Sequence, residues 1–171
     1  MSEFNFDAPP TVRGDAPPGY RVTERSRVIG AGPGQFAMVR AAIWRWGVQR
    51  GSDFRFISVP ERVTVGAVSR FRIPFGMLRP QVTCRVFEIV DEPRLAGFAH
   101  GAIRGHPQSG WESYLVEYTD EGSVILHIRV VSRPAAWWMR AAGPAGRLAL
   151  EIILRRNLRA LDGMLRQAPA T

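Results

Sequence analysis

The chain has 171 residues, enough for one domain that buries roughly 70% of its unfolded surface, and 46% of its residues are apolar, as in a globular protein. One cysteine, Cys84, excludes an internal disulfide framework and a multi-cysteine metal site, and three scattered histidines give no metal-ligand cluster, so no metal is expected. No run approaches the about 18 apolar residues of a membrane span, and the first residues lack the basic and apolar regions of a secretory signal, so a cytoplasmic location is expected.

The formal charge of +8 arises from 23 basic residues, every one an arginine. Excess positive charge draws a chain toward polyanions and anionic membranes. These arginines are dispersed, with Arg155-Arg156 the only adjacent pair. A nucleic-acid binder clusters its basic residues into a patch or stripe, so nucleic acid is not the expected partner.

Residues 1–19 hold four of the 13 prolines, in the pairs Pro9-Pro10 and Pro17-Pro18, and read as a flexible N-terminal arm. Residues 20–171 read as a single domain. Over 20–29, β-branched and charged residues take turns, which suits an edge strand. The stretch from Val28 to Gln35 is similar to the opening of a dinucleotide-binding fingerprint, with Asp53 where a ribose-binding acid would stand. Three features oppose that reading. Gln35 occupies a position that needs glycine or alanine, the preceding strand carries Glu24, Arg25 and Arg27, and no βαβ repeat follows. The stretch is read as a strand-to-helix turn with Pro33 near the helix start, and no cofactor is expected. A helix from about Gly34 to Gln49 then places Phe36, Val39, Ile43 and Trp46 on one stripe, with Trp44 half a turn away.

From Asp53 onward the pattern has period two. Strands are predicted over 54–58, 62–73 and 81–91, broken at Pro60, Pro74-Phe75-Gly76 and Pro80. Two further runs, 95–104 and 111–119, flank the turn signal from Gly105 to Gly110. Asp120-Glu121-Gly122 marks a hairpin into a strand over 123–132. There Val124, Leu126, Ile128 and Val130 share one face and His127 and Arg129 the other, so His127 reads as a surface residue. After a short apolar piece at Trp137-Trp138-Met139, Gly143-Pro144 opens the clearest helix in the chain. Leu150, Leu154, Leu158, Leu161 and Leu165 form its stripe, opposite Arg155, Arg156, Arg159, Asp162 and Arg166. About twenty residues at 1.5 Å each span near 30 Å, enough to cross a sheet. The fold class is α+β: a curved antiparallel sheet wrapped around a long C-terminal amphipathic helix, with an apolar cavity between them.

Several motifs, in order, resemble one family. Gly97-Phe98-Ala99-His100-Gly101, Gly105-His106-Pro107 and Gly110-Trp111-Glu112 are similar to the pattern of the domain of unknown function 1990 family. Cys84-Arg85-Val86, Asp91-Glu92, Ser132-Arg133-Pro134, Gly143-Pro144 and the early Phe36…Trp46 helix are similar to it as well. The resemblance implies a helix-grip (START-like) fold, related to lipid-transfer proteins and pollen allergens, with an internal ligand cavity and no established reaction. His100 stands at the family's tyrosine, and Trp111 replaces the first of two adjacent glutamates, which puts any role for a carboxylate pair in doubt.

His106 and Glu112 flank the turn between the two central strands. A carboxylate orienting an imidazole is the usual way to set a general base, and such a pair also pins a loop. It would raise the pKa of His106 if Glu112 is ionised. Glu112, Tyr114, Val116 and Tyr118 share one face of their strand. An inward Glu112 needs a partner, because an unpaired buried carboxylate is costly, and Arg85, Arg104 and Arg133 are the candidates. The candidate ligand-binding set is therefore Arg85, His100, Arg104, His106, Glu112, Tyr114 and Arg133, with His106 and Glu112 as the candidate catalytic pair. The expected function is binding of a small apolar or amphipathic molecule between sheet and C-terminal helix. One alternative is an enzyme using His106 and Glu112 as acid–base residues in the same cavity. The other is a protein whose arginine face meets an anionic surface, membrane or nucleic acid, with peripheral membrane contact the favoured form of the two.

Overall fold

In the computed structural model, residues 3–6, 11–74 and 79–166 are described. Pro9-Pro10, Phe75-Gly76 and residues 167–171 lie outside these. Seven strands form one antiparallel sheet: β1 Arg21–Ala31, β2 Arg55–Ser58, β3 Val68–Arg72, β4 Gln81–Asp91, β5 Leu95–Ala102, β6 Gln108–Tyr118 and β7 Ser123–Pro134. Their order is β1-β7-β6-β5-β4-β3-β2, a meander from β2 to β7 closed by β1 against β7. Between β1 and β2 lie α1 Gly32–Ile43 and α2 Gly47–Gly51. After β7 come α3 Trp137–Ala141, α4 Gly143–Arg159 and α5 Asp162–Arg166.

The period-two pattern decides which face the helices cover. Val124, Leu126, Ile128 and Val130 of β7 are buried in one cluster with Phe36, Val39 and Ile43 of α1 and with Leu154, Leu161 and Leu165 of the C-terminal helix. Each such aliphatic side chain contributes about 1.5–3 kcal/mol by leaving water. Arginines add lateral ties: Arg25 meets Glu151 at 2.9 Å and Arg27 meets Asp162 at 2.6 Å, joining β1 to the helix. Partly exposed pairs of this kind contribute little individually, about 0–1 kcal/mol.

Pro33 does sit in the first turn of α1, directly after β1, as the strand-to-helix reading requires. The helix expected over 34–49 is interrupted, however. It stops at Ile43 and restarts at Gly47, because Trp46 adopts a left-handed backbone with φ +61°. That conformation is uncommon for a bulky residue and persists only when packing over-determines it. Here the indole is fully buried against Phe71 and Phe98, and its N–H donates to the Pro60 carbonyl at 2.8 Å. The strand expected over 62–73 is also shorter. Val63 turns its N–H to the Trp44 carbonyl rather than to the sheet, and a turn from Thr64 to Ala67 precedes β3.

The other face of the sheet is covered by the lead-in. Phe4 bridges Ile103, the Asn5 N–H donates to Ala102, and Phe6 packs on Trp111 and Val131. Val12 packs on Ala99 and Leu115. Gly101 permits this close approach, since a Cβ there would stand 2.8–2.9 Å from the rings of Phe4 and Phe6. Trp111 is the floor of this outer cluster. Adjacent strand residues point to opposite faces, so Trp111 lies on the outer face and Glu112 on the inner one.

Candidate ligand cavity

Strand register builds the site. β5 and β6 pair His100 directly with Glu112 and Phe98 with Tyr114. Alternation turns all four toward the helices. Together with Val82, Cys84 and Ala102, Val130 and Ser132 of β7, Trp138 and Met139 of α3, and Leu150 and Ile153 of α4, His100 and Glu112 line a cavity of about 60 Å³. On the measure by which one water needs about 10–15 Å³, this holds a handful of waters or one small molecule. Pro80, His106, Pro107 and Trp138 line both this cavity and an adjoining surface groove, so they form the wall between interior and solvent.

Glu112 is the centre of the polar contacts. Its Oε2 accepts from the Tyr114 hydroxyl at 2.6 Å and lies 3.7 Å from His100 Nε2. Among the described residues no partner reaches Oε1, and 31% of the side chain is accessible. Burial pushes the Glu112 pKa up, but His100, the Tyr114 hydroxyl and the nearby His106 together outweigh it and hold the carboxyl below its ordinary value. Burial and the same carboxylate push Tyr114 well above the usual phenol range. They also raise the Cys84 thiol, which lines the cavity as a protonated group and not as a nucleophile. His100 is only 4% exposed, ringed by Trp46, Phe98 and Tyr114, and its Nδ1 has no partner.

The expected His106–Glu112 ion pair is not formed. Register gives Glu112 to His100, and His106 sits beyond the end of β5, where Gly105, at φ +90°, turns the chain. The Nδ1 of His106 is taken up by the backbone of Gln108, 3.0 Å from its N–H and 2.9 Å from its carbonyl. Its pKa moves opposite to expectation: burial lowers it to about 4, and attraction to Glu112 only partly compensates.

No arginine reaches Glu112 either. Arg85 lies on the outer face, paired with Glu3 at 2.7 Å, and Arg133 stacks over Tyr20 at 4.7 Å on that same face. Arg104 is exposed in the turn. Of the seven candidates, His100, His106 and Glu112 line the cavity, and Tyr114 supports it through Glu112. Sequence reasoning missed Trp46, Cys84 and Gln49 as neighbours of this network. Gln49 is fully buried next to the Tyr114 hydroxyl, and its signal was a lone amide between Val48 and Arg50. His127 does lie on the outer face, its Nδ1 2.8 Å from the Ser26 hydroxyl and its Nε2 donating to the Glu117 carboxylate at 2.9 Å, which stitches β1, β7 and β6 together.

A family profile described as "Domain of unknown function (DUF1990)" matches residues 7–160. The chain belongs to this family. A curated relative, the UPF0548 protein of Deinococcus radiodurans, is 38% identical over 63 residues, which are 37% of this chain and 32% of that protein. The match thus spans about a third of the relative's length. Among solved structures, major latex-like protein 151 of Panax ginseng aligns with TM-score 0.58 and 10% identity over 85% of this chain and 97% of its own. A hypothetical protein of Helicobacter pylori aligns with TM-score 0.51 and 13% identity over 90% and 97%. At such identities the likeness is one of fold, and the fold is helix-grip, as the sheet wrapped around α4 and α5 shows.

In this DUF1990 domain His106 and Glu112 both make stability fall in acid. A histidine with a lowered folded pKa binds its proton later when folded, so the unfolded chain holds more protons between pH 6.5 and about 4. Stability contributed by neutral His106 is complete above that window and is lost as pH falls through it, by on the order of 1–3 kcal/mol. Glu112, with its folded value lowered, contributes above its unfolded value and loses that contribution at still lower pH. Urea unfolding from pH 7.5 to 4 should show this slope, and His106→Asn should flatten it above pH 4.5. An unchanged slope in the variant would contradict the burial of a neutral His106.

Proposed function

We propose that the domain binds a small apolar or amphipathic molecule in the cavity between its sheet and its C-terminal helix. The observation that carries this is an inner space walled by apolar side chains from sheet, α3 and α4, with a partly unpaired polar group on its floor. That combination is what a binding pocket presents: an apolar lining with a few placed polar atoms. The wall shared with the surface groove, including His106, Pro107 and Trp138, gives the ligand a short way in. The test is native mass spectrometry of protein purified without denaturants. A small non-covalent adduct is expected on the wild type and not on Ala102→Leu, in which the added side chain fills the space. A wild type free of adduct, and with no uptake from a library of small apolar compounds, would count against the reading.

A second reading concerns the roof. Trp137 is 78% exposed and Leu148 and Ile152 are also exposed, all on the two helices whose inner side chains close the cavity. Such a roof supports peripheral contact with an anionic membrane. Association with vesicles containing anionic phospholipid is expected to be weak, lost between low salt and about 150 mM salt as screening sets in, and reduced in Trp137→Ala. Binding that ignores salt and Trp137 would remove this reading.

A further inference from the structure

A carboxylate oxygen on the cavity floor that no protein donor reaches among the described residues points to the chemistry of the ligand. Glu112 has one oxygen satisfied by Tyr114, while Oε1 has no protein donor among the described residues and the side chain is partly accessible where it lines the cavity. The chain carries 23 arginines, yet no arginine is among the residues that line this space. Arg85 and Arg133, which the sequence offers as counter-charges, are on the outer face.

From this we infer that the cavity selects a molecule with a small apolar body and a hydrogen-bond-donating end, a protonated amine best of all, and rejects carboxylates such as fatty acids. The inference rests on the binding reading above and names its substrate class. A carboxylate in an apolar enclosure is costly unless paired and hydrogen-bonded, so a ligand ammonium that reaches Oε1 supplies what the protein does not. Charge-assisted bonds of this kind are roughly twice as strong as neutral ones. A ligand carboxylate would instead face Glu112 at close range, with no guanidinium to offset the repulsion. His106 reinforces the bias, because burial keeps it neutral near pH 7 while Glu112 is held ionised. The limited volume sets the size of the body at about one ring rather than an acyl chain.

Three ring compounds of equal size separate the possibilities: benzylamine, benzyl alcohol and benzoate, with toluene as an apolar control. Binding is read from chemical-shift titration of the Val130 and Ile153 methyls in the full chain. Benzylamine should bind at least about tenfold more tightly than benzoate, with benzyl alcohol between them. In Glu112→Gln, and separately in Tyr114→Phe, thermal unfolding reports whether the fold is kept. The first variant should lose about tenfold for benzylamine and less than about threefold for benzyl alcohol. Should either variant fail to fold, the wild-type ranking alone still decides. Benzoate binding as tightly as benzylamine would overturn the inference and leave the cavity reading standing. So would toluene binding without any preference among the three. Failure of all four compounds to move these methyls would overturn both.

Discussion

Replacing Trp46 by alanine should cost about 3–5 kcal/mol of stability, the range for truncating a buried aromatic side chain. The indole is fully buried, packs edge-on against Phe71 and Phe98, and spends its only donor on the Pro60 carbonyl. Its left-handed backbone joins α1 to α2, so the ring also fixes the angle between these two helices. It further forms one wall of the aromatic ring around His100. Denaturant unfolding of Trp46→Ala and Trp46→Phe measures the effect, with the phenylalanine expected to retain more than half of it. A cost below about 1 kcal/mol for the alanine would mean that the site's floor is not held by this ring.

The second large effect belongs to the C-terminal helix. Leu154 is buried between α4 and the sheet, while Ile152, two residues away, is exposed. Leu154→Ala should cost about 2–5 kcal/mol as a cavity-forming truncation, and Ile152→Ala should stay within about 0.5 kcal/mol as a surface change. The contrast between the two matters more than either value. Equal costs would show that α4 does not present its leucine stripe to the sheet.

Much of the fold was legible because its long elements repeat with a clear period. Val124, Leu126, Ile128 and Val130 announce an inner strand face, and Leu150 to Leu165 announce a helix laid across it. The structure bears out both. What resisted reading depends on single backbone states and on register. Nothing in Trp44-Arg45-Trp46-Gly47 distinguishes a continuous helix from one broken by a left-handed tryptophan, because the break is set by what the indole packs against. The lead-in is similar. Its prolines suggested an arm, whereas Phe4 and Phe6 reach the outer face only because Gly101, far along the chain, leaves room for their rings.

The candidate site shows the same division. Alternation put Glu112 and Tyr114 on one face of their strand, and that face is the inner one. Which histidine would meet Glu112 was not readable, since a turn signal at 105–110 does not fix the pairing. Strand β6 begins at Gln108, earlier than the turn residues suggest, and the register then sets His100 opposite Glu112 and leaves His106 to Gln108. The arginine partners failed for a related reason. Arg85 and Arg133 fall on strand positions whose side chains point outward, and one residue of alternation decides that.

The measurement that tests the central claim most directly is a set of intermolecular nuclear Overhauser effects between toluene or benzyl alcohol and the methyl-labelled chain. If the cavity under the C-terminal helix is the binding site, effects should appear at Met139, Val130, Leu150 and Ile153 and vanish in Ala102→Leu. Effects confined to the exposed Leu148 and Ile152, unchanged in that variant, would contradict it.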